Sequence, residues 1–254
     1  MPILNHFDHE FFRQYGFIVL EDLISSNEVD YYLDLFRTDK ERAPLRWNQR
    51  GIQTMNCDAL CTTPEFDDVI RHPKILQAVV ELMGGPVCFG ELCIRHMGPS
   101  NKRENQGWHR DRAHYLEHPL RMDYIQLMLY LTDVDESSHC FSLSPESIDR
   151  PILDNRDKQL KRDGCFDVHG PAGTVCLFNV SVLHRATGRK TDKERKTIQA
   201  YYGHRDRDFL ANDSLMPPMF FNNHPDPEVR AFYGNINDIT RLYMRAFGLE
   251  NERK

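Results

Sequence analysis

The sequence predicts a mainly β fold with helical additions: a double-stranded β-helix (jelly-roll, cupin-like) core behind an N-terminal helical layer. Over the first 86 residues apolar side chains recur at helical spacing, whereas from residue 87 they gather in short runs separated by Gly, Pro, Asn and Asp. Those runs follow one another without intervening crossover helices, which implies antiparallel pairing in two packed sheets. At 254 residues and 40% hydrophobic content the chain can bury one full core. A single domain over 1–254 is expected, with the helical layer at about 1–86, the jelly roll at about 87–204 and a helical tail at about 205–254.

The elements follow in order. Phe7, Phe11, Phe12 and Tyr15 lie on one helical face, Gly16 ends that helix, and Phe17 to Leu20 read as a strand. Ser25 to Glu28 form a cap-like start for a second helix whose stripe is Val29, Tyr32, Leu33 and Phe36. Residues 40–64 are polar and mixed, so a loop is expected there, with a short strand near Ile52 to Met55. Pro73 to Met83 read as a third helix closed by Gly84 and Gly85. Strands are expected at Val87 to Met97, Tyr124 to Thr132, Cys140 to Leu143, Thr174 to Phe178 and Lys196 to Gly203. In the tail, Ile239, Leu242, Tyr243, Ala246 and Phe247 mark an amphipathic helix over Ile236 to Phe247, placed to cover the core or to join a second subunit in a homo-oligomer.

Composition narrows the function. A net charge of -6 and a pI near 6.1 lack the concentrated basic face that nucleic acids and membrane surfaces require, so a small molecule is the expected partner. Seven cysteines without a CxxC pair fit buried reduced thiols better than a disulfide or zinc framework, which implies a cytoplasmic location. No 18-residue apolar run is present.

The chemistry centres on His109 and Asp111. Two residues apart on an extended segment, they share a face and can hold one metal. The spacing His-x-Asp recurs at His6, His204 and His224, but the pair at 109 stands out: a strand-rich region precedes it, and a later histidine is followed by a basic residue. That histidine is His184, at the end of the apolar segment Thr174 to Leu183. Arg195 follows eleven residues later, across the polar, hairpin-like turn from Gly188 to Glu194. Two imidazoles and one carboxylate on iron(II) leave three adjacent positions for an organic co-substrate and dioxygen. A guanidinium beside them clamps a carboxylate through two parallel hydrogen bonds.

The chain resembles the phytanoyl-CoA dioxygenase family of iron(II)- and 2-oxoglutarate-dependent oxygenases over roughly residues 7–203. The run Phe11 to Leu20 is similar to the family's opening, and Tyr130 to Asp135 with Ser144 to Ser147 are similar to its central strand and following turn. The resemblance implies that His109, Asp111 and His184 are the metal ligands and catalytic residues, and that Arg195 grips the distal carboxylate of 2-oxoglutarate. It also suggests that Gln126, on the inward face of its strand with Met128 and Tyr130, contacts the co-substrate. Two positions depart from the family: Pro145-Glu146-Ser147-Ile148 stands where Pro-Gly-Ser-His is usual, and Ala186 replaces a hydroxyl residue, for which Thr187 or Thr197 could substitute.

The implied reaction consumes O2 and 2-oxoglutarate, releases succinate and CO2, and hydroxylates or otherwise oxidises an unactivated C–H bond of a small molecule. Asp111 fills the carboxylate position, so halide ligation is not expected there. Arg95, His96, Arg112, His114 and Arg121 suggest an acidic substrate such as a carboxylic acid, amino acid or acyl thioester. A non-catalytic cupin-like metal-binding or sensor protein, or a metal-free jelly-roll interaction protein, would lack 2-oxoglutarate turnover; Arg195 favours the enzyme.

Overall fold

The computed structural model describes residues 2–249; the last residues of the expected tail, 250–254, lie outside them. The first part of the chain forms α1 (His6–Tyr15), β1 (Phe17–Leu20), α2 (Ser26–Arg42), β2 (Asn48–Arg50), β3 (Gln53–Asn56), α3 (Ala59–Thr62), α4 (Asp67–Ile70) and α5 (Pro73–Met83). The core then runs through β4 (Val87–Met97), β5 (Tyr124–Tyr130), β6 (Cys140–Leu143), α6 (Arg156–Asp163), β7 (Phe166–Val168), β8 (Val175–Asn179), β9 (His184–Thr187) and β10 (Arg195–His204). The tail carries α7 (Pro218–Phe221), α8 (Pro227–Phe232) and α9 (Asp238–Ala246).

Seven strands make the major sheet in the order β1-β8-β5-β10-β4-β3-β2, and β7-β6-β9 make a minor sheet. All named pairings are antiparallel, and the two sheets do not join into a closed barrel. Alternation along each strand gives the major sheet two different faces. Its outer face carries Leu92, Ile94, Leu127, Leu129, Ile198 and Ala200, packed with Phe36, Ile75, Val79 and Leu82 of the helices. Its inner face carries Met128, Tyr130, Cys176 and Phe178 against Phe141, Leu143 and Val168 of the minor sheet. Among the described residues no helix is long and apolar enough to cross a membrane.

Four expectations need correction. The segment 40–64 is ordered rather than a loop, because buried Asp39 accepts hydrogen bonds from Trp47 Nε1 (2.9 Å), Asn56 Nδ2 (2.9 Å), Thr63 Oγ1 (2.9 Å) and Thr62 Oγ1. Four donors converging on one buried carboxylate over-determine the backbone around them. The short elements β7, β9 and α6 carry no periodic apolar signal and are set by tertiary pairing, as β9 is by β6. The turn 188–194 is not a hairpin: β9 pairs with β6, β10 pairs with β4 and β5, and the turn passes from one sheet to the other.

The last correction concerns α9, which docks through Thr240 and Met244 while Leu242 and Phe247 stay exposed. Asn237 decides this orientation. It caps the helix at Thr240 and donates to the carbonyls of Ala211 and Ser214, and Thr240 Oγ1 accepts from Met216 N–H. The cysteines are all free, although Cys61 and Cys165 are exposed.

Gly16 connects the helical layer to the core. It adopts φ +75° and its N–H closes α1 on the Phe12 carbonyl at 2.7 Å. Its carbonyl accepts from Asn179 N–H, and a Cβ at this position would meet Val182 Cγ2 at 2.5 Å. The Gly16→Ala variant is therefore expected to lose about 3 kcal/mol, from the left-handed backbone and the overlap together. Urea unfolding reads this, and an unchanged midpoint would refute the close approach.

Candidate metal centre

The segment before β5 lies against the start of β9 through backbone pairing. His109 N–H donates to the His184 carbonyl at 3.1 Å, His184 N–H to the His109 carbonyl at 2.9 Å, and Asp111 N–H to the Val180 carbonyl at 3.0 Å. His109 and Asp111 consequently project from one side. Arg110 projects from the other, where it pairs with buried Glu146 and donates to the Ser181 and Leu153 carbonyls. Glu146 also accepts from Leu183 N–H at 3.0 Å. This carboxylate locks the two chain segments that bear the histidines.

His109 Nε2 lies 3.6 Å from Asp111 Oδ1, and His184 Nε2 lies 3.5 Å from Asp111 Oδ2. Donors bound to one ion at about 2.1 Å sit roughly 3 Å apart, so a small inward movement completes a shared coordination sphere. The tautomers suit this. Nδ1 of His109 faces the Gly107 carbonyl at 2.9 Å and Nδ1 of His184 faces the Val182 carbonyl at 2.8 Å. A carbonyl only accepts, so each Nδ1 carries the proton and each Nε2 keeps a free lone pair. Burial holds the His184 imidazole below the ordinary histidine range, opposed by the charge of Asp111. Tyr201 Oη, buried and kept protonated, donates to Asp111 Oδ2 at 3.0 Å.

The three side chains line a cavity of about 300 Å³. The inner face of β10 contributes alternate residues Arg195, Thr197, Gln199 and Tyr201, of which Arg195, Gln199 and Tyr201 reach the cavity. Arg195 is only 1% exposed. Its one recorded partner is Gln53 Oε1 at 3.5 Å, while Nε and Nη1 have none among the described residues. A buried guanidinium with open donors is unfavourable until an anion fills the space. Gln126 also lines the cavity, with Nε2 committed to Gln199 Oε1 at 2.9 Å. Thr187 turns away to Ser142 Oγ at 2.6 Å, and Thr197 accepts from Gln199.

Of the five residues read as basic contacts, only Arg95 lines the cavity. Arg112 pairs with Asp123, His96 with Glu194, and Arg121 donates to the Arg150 carbonyl, while burial pushes His114 down to about 4. Sequence reasoning missed Gln53, Glu91, Gln199 and Tyr201. The available signal was a polar residue at every second position of β4 (Glu91, Cys93, Arg95) within an otherwise apolar strand. Burial, then neighbouring Cys93 and Asp213, push the Glu91 carboxyl up to about 8. A second group with metal-ligating atoms, Cys140, Asp167 and His169, lies in the minor sheet, but its Asp167 already binds Arg189 and Ser142.

The family model described as phytanoyl-CoA dioxygenase (PhyH) matches residues 12–197. No curated protein matches the chain significantly. Among solved structures, the non-haem α-ketoglutarate-dependent carbocyclase SnoK from nogalamycin biosynthesis is similar, with TM-score 0.70, 18% identity and coverage of 82% of this chain and 88% of that one. EctD from S. alaskensis, solved with 2-oxoglutarate and 5-hydroxyectoine, gives 0.69, 16%, 94% and 87%. HygX from Streptomyces hygroscopicus, solved with nickel and 2-oxoglutarate, gives 0.68, 17%, 83% and 91%. At these identities the likeness concerns the fold.

Removing Glu146 would leave Arg110 without its carboxylate partner. The Glu146→Ala variant is expected to lose about 3 kcal/mol in chemical denaturation. A variant as stable as the wild type would show that the pair does not hold the two segments together.

Proposed function

The chain belongs to the phytanoyl-CoA dioxygenase family, and from that membership we propose that His109, Asp111 and His184 hold its iron(II) while Arg195 receives the distal carboxylate of 2-oxoglutarate. The protein is a non-haem iron, 2-oxoglutarate-dependent oxygenase acting on a small molecule. One observation carries the residue assignment. Two imidazoles with free Nε2 lone pairs and a carboxylate converge within 4.8 Å beside a cavity that also exposes a buried arginine with two unpaired donors.

The iron, when bound, supplies the activation of O2 coupled to oxidative decarboxylation of 2-oxoglutarate to succinate and CO2. The chain's own residues do the rest. The carbonyls of Gly107 and Val182 orient the imidazoles, and Tyr201 orients Asp111. Arg195 neutralises and aligns the far end of the co-substrate, with Gln53 steadying the guanidinium. Gln126 and Gln199, linked to each other, present a polar wall along which the co-substrate lies. Asp111 supplies a carboxylate ligand, which favours hydroxylation or a related C–H oxidation over halogen transfer. Phe141 adds an aromatic side chain to the wall of the cavity.

The acidic-substrate reading rests on Arg95 alone, since its four companions do not line the cavity. Arg195 also separates the enzyme from a cupin-like metal sensor, which has no use for a buried anion clamp.

Anaerobic titration with iron(II) and then 2-oxoglutarate should raise the weak visible charge-transfer band of the chelate. The band should vanish in both His109→Ala and His184→Ala; its survival unchanged in both would exclude these ligands. In Arg195→Ala we expect iron to be retained and 2-oxoglutarate affinity to fall at least ~30-fold, the cost of removing one partner of a buried charge pair. Equal affinity would transfer the distal carboxylate to another residue.

A further inference from the structure

We propose that Glu91, with Asp213 at the rim of the cavity, binds a cationic group of the substrate, an amine or an ammonium. This deepens the assignment above, on which it rests, by naming a substrate class. Glu91 is 5% exposed, lines the cavity, and has neither a hydrogen bond nor an ion pair among the described residues. Buried Glu146 and Asp39, by contrast, are engaged: Glu146 by Arg110 and a backbone N–H, Asp39 by four donors. Burial favours the protonated form of this carboxyl, and a cationic ligand would supply the partner that its charged form lacks.

Register divides the cavity by charge. On β10, Arg195 faces Met97, Thr197 faces Arg95, and Tyr201 faces Glu91. Tyr201 is the residue that touches Asp111. Arg95 and Arg195 therefore stand together on the side that suits the 2-oxoglutarate dianion, and Glu91 stands four residues along β4 from Arg95, level with the metal centre. Asp213 lines the same cavity, is exposed, and adds to the negative charge felt by Glu91. With Arg95 and Arg195 turned to the dianion, Glu91 and Asp213 are the acidic side chains of the cavity outside the metal centre, while Arg50 and Arg185 line it as well.

The backbone is arranged to aim this carboxylate inward. Tyr201 pairs with Glu91 and Tyr202 with Phe89, which leaves Gly90 as the extra residue of a β-bulge. The bulge lets Phe89 point into the outer core while Glu91 points into the cavity. Only a glycine fits easily there, because a Cβ would lie 3.0 Å from the Tyr124 ring and 3.2 Å from the Tyr201 carbonyl.

The test is calorimetric titration of the full chain, metal-free and then anaerobically with iron(II) and 2-oxoglutarate. The probes are matched small amines, alcohols and carboxylic acids, with benzylamine, benzyl alcohol and benzoate as one set. Amines are expected to bind roughly tenfold or more tightly than their partners, and Glu91→Gln should abolish that preference. Asp213→Asn, at the exposed rim, should weaken it several-fold and gives the reading should Glu91→Gln fail to fold. Acids or alcohols that bind as tightly as amines, or a preference that survives Glu91→Gln or is untouched by Asp213→Asn, would overturn the proposal. An amine preference in the metal-free protein supports the cation site even where no chelate band forms, a result that would sink the iron assignment alone.

Discussion

The reciprocal pair of backbone hydrogen bonds between His109 and His184 is the constraint on which the site depends. The two residues are distant in sequence, and their side chains have no intrinsic attraction for one another. Backbone pairing brings the rings to a centroid separation of 4.4 Å, and the imidazole orientation is then set by carbonyls two residues away in each chain segment. Glu146 and Arg110 fasten the same two segments from behind, so the face toward the cavity carries ligating atoms and the opposite face carries the structural ion pair. Helix α1 adds a third support, since Gly16 packs against Val182 just before His184.

The major sheet reconciles this polar interior with stability. Its outer face buries an unbroken apolar surface under α2 and α5, and the inner face is divided between an apolar part against the minor sheet and a polar cavity. Most of the hydrophobic stabilisation thus comes from residues that never meet a substrate. Buried side-chain atoms without a partner occur at several places in the chain, and those that line the cavity, Nε and Nη1 of Arg195 and Nε of Arg95, are where an anion would satisfy them. Local departures from the rules of good packing of this kind are expected at functional sites.

What the sequence disclosed follows the same division. Helices with a cap and a stripe, such as Pro73–Met83, and strands with both faces buried, such as Val87–Met97, were legible because local pattern and tertiary environment agree. The convergence of His109, Asp111 and His184 was legible because the His-x-Asp spacing acts over two residues of extended chain and the third histidine closes an apolar segment. The order in 40–64 was hidden, since it depends on Asp39 gathering donors from four separate positions. Strand β9 was hidden because His184–Thr187 has no apolar alternation and exists through its pairing with β6. Glu91 was signalled only by its alternation with Cys93 and Arg95, which the bulge at Gly90 stops from extending back to Phe89.

His109, Asp111 and His184, and no other group of ligands, are proposed to share one iron ion beside Arg195. The most direct measurement is a crystal structure of the anaerobic complex with iron(II) and 2-oxoglutarate, phased to show anomalous scattering at the iron edge. The account predicts one peak within bonding distance of His109 Nε2, His184 Nε2 and an Asp111 oxygen, with the distal carboxylate of 2-oxoglutarate on Arg195. A peak at Cys140, Asp167 and His169 instead, or a co-substrate whose distal carboxylate points away from Arg195, would contradict it.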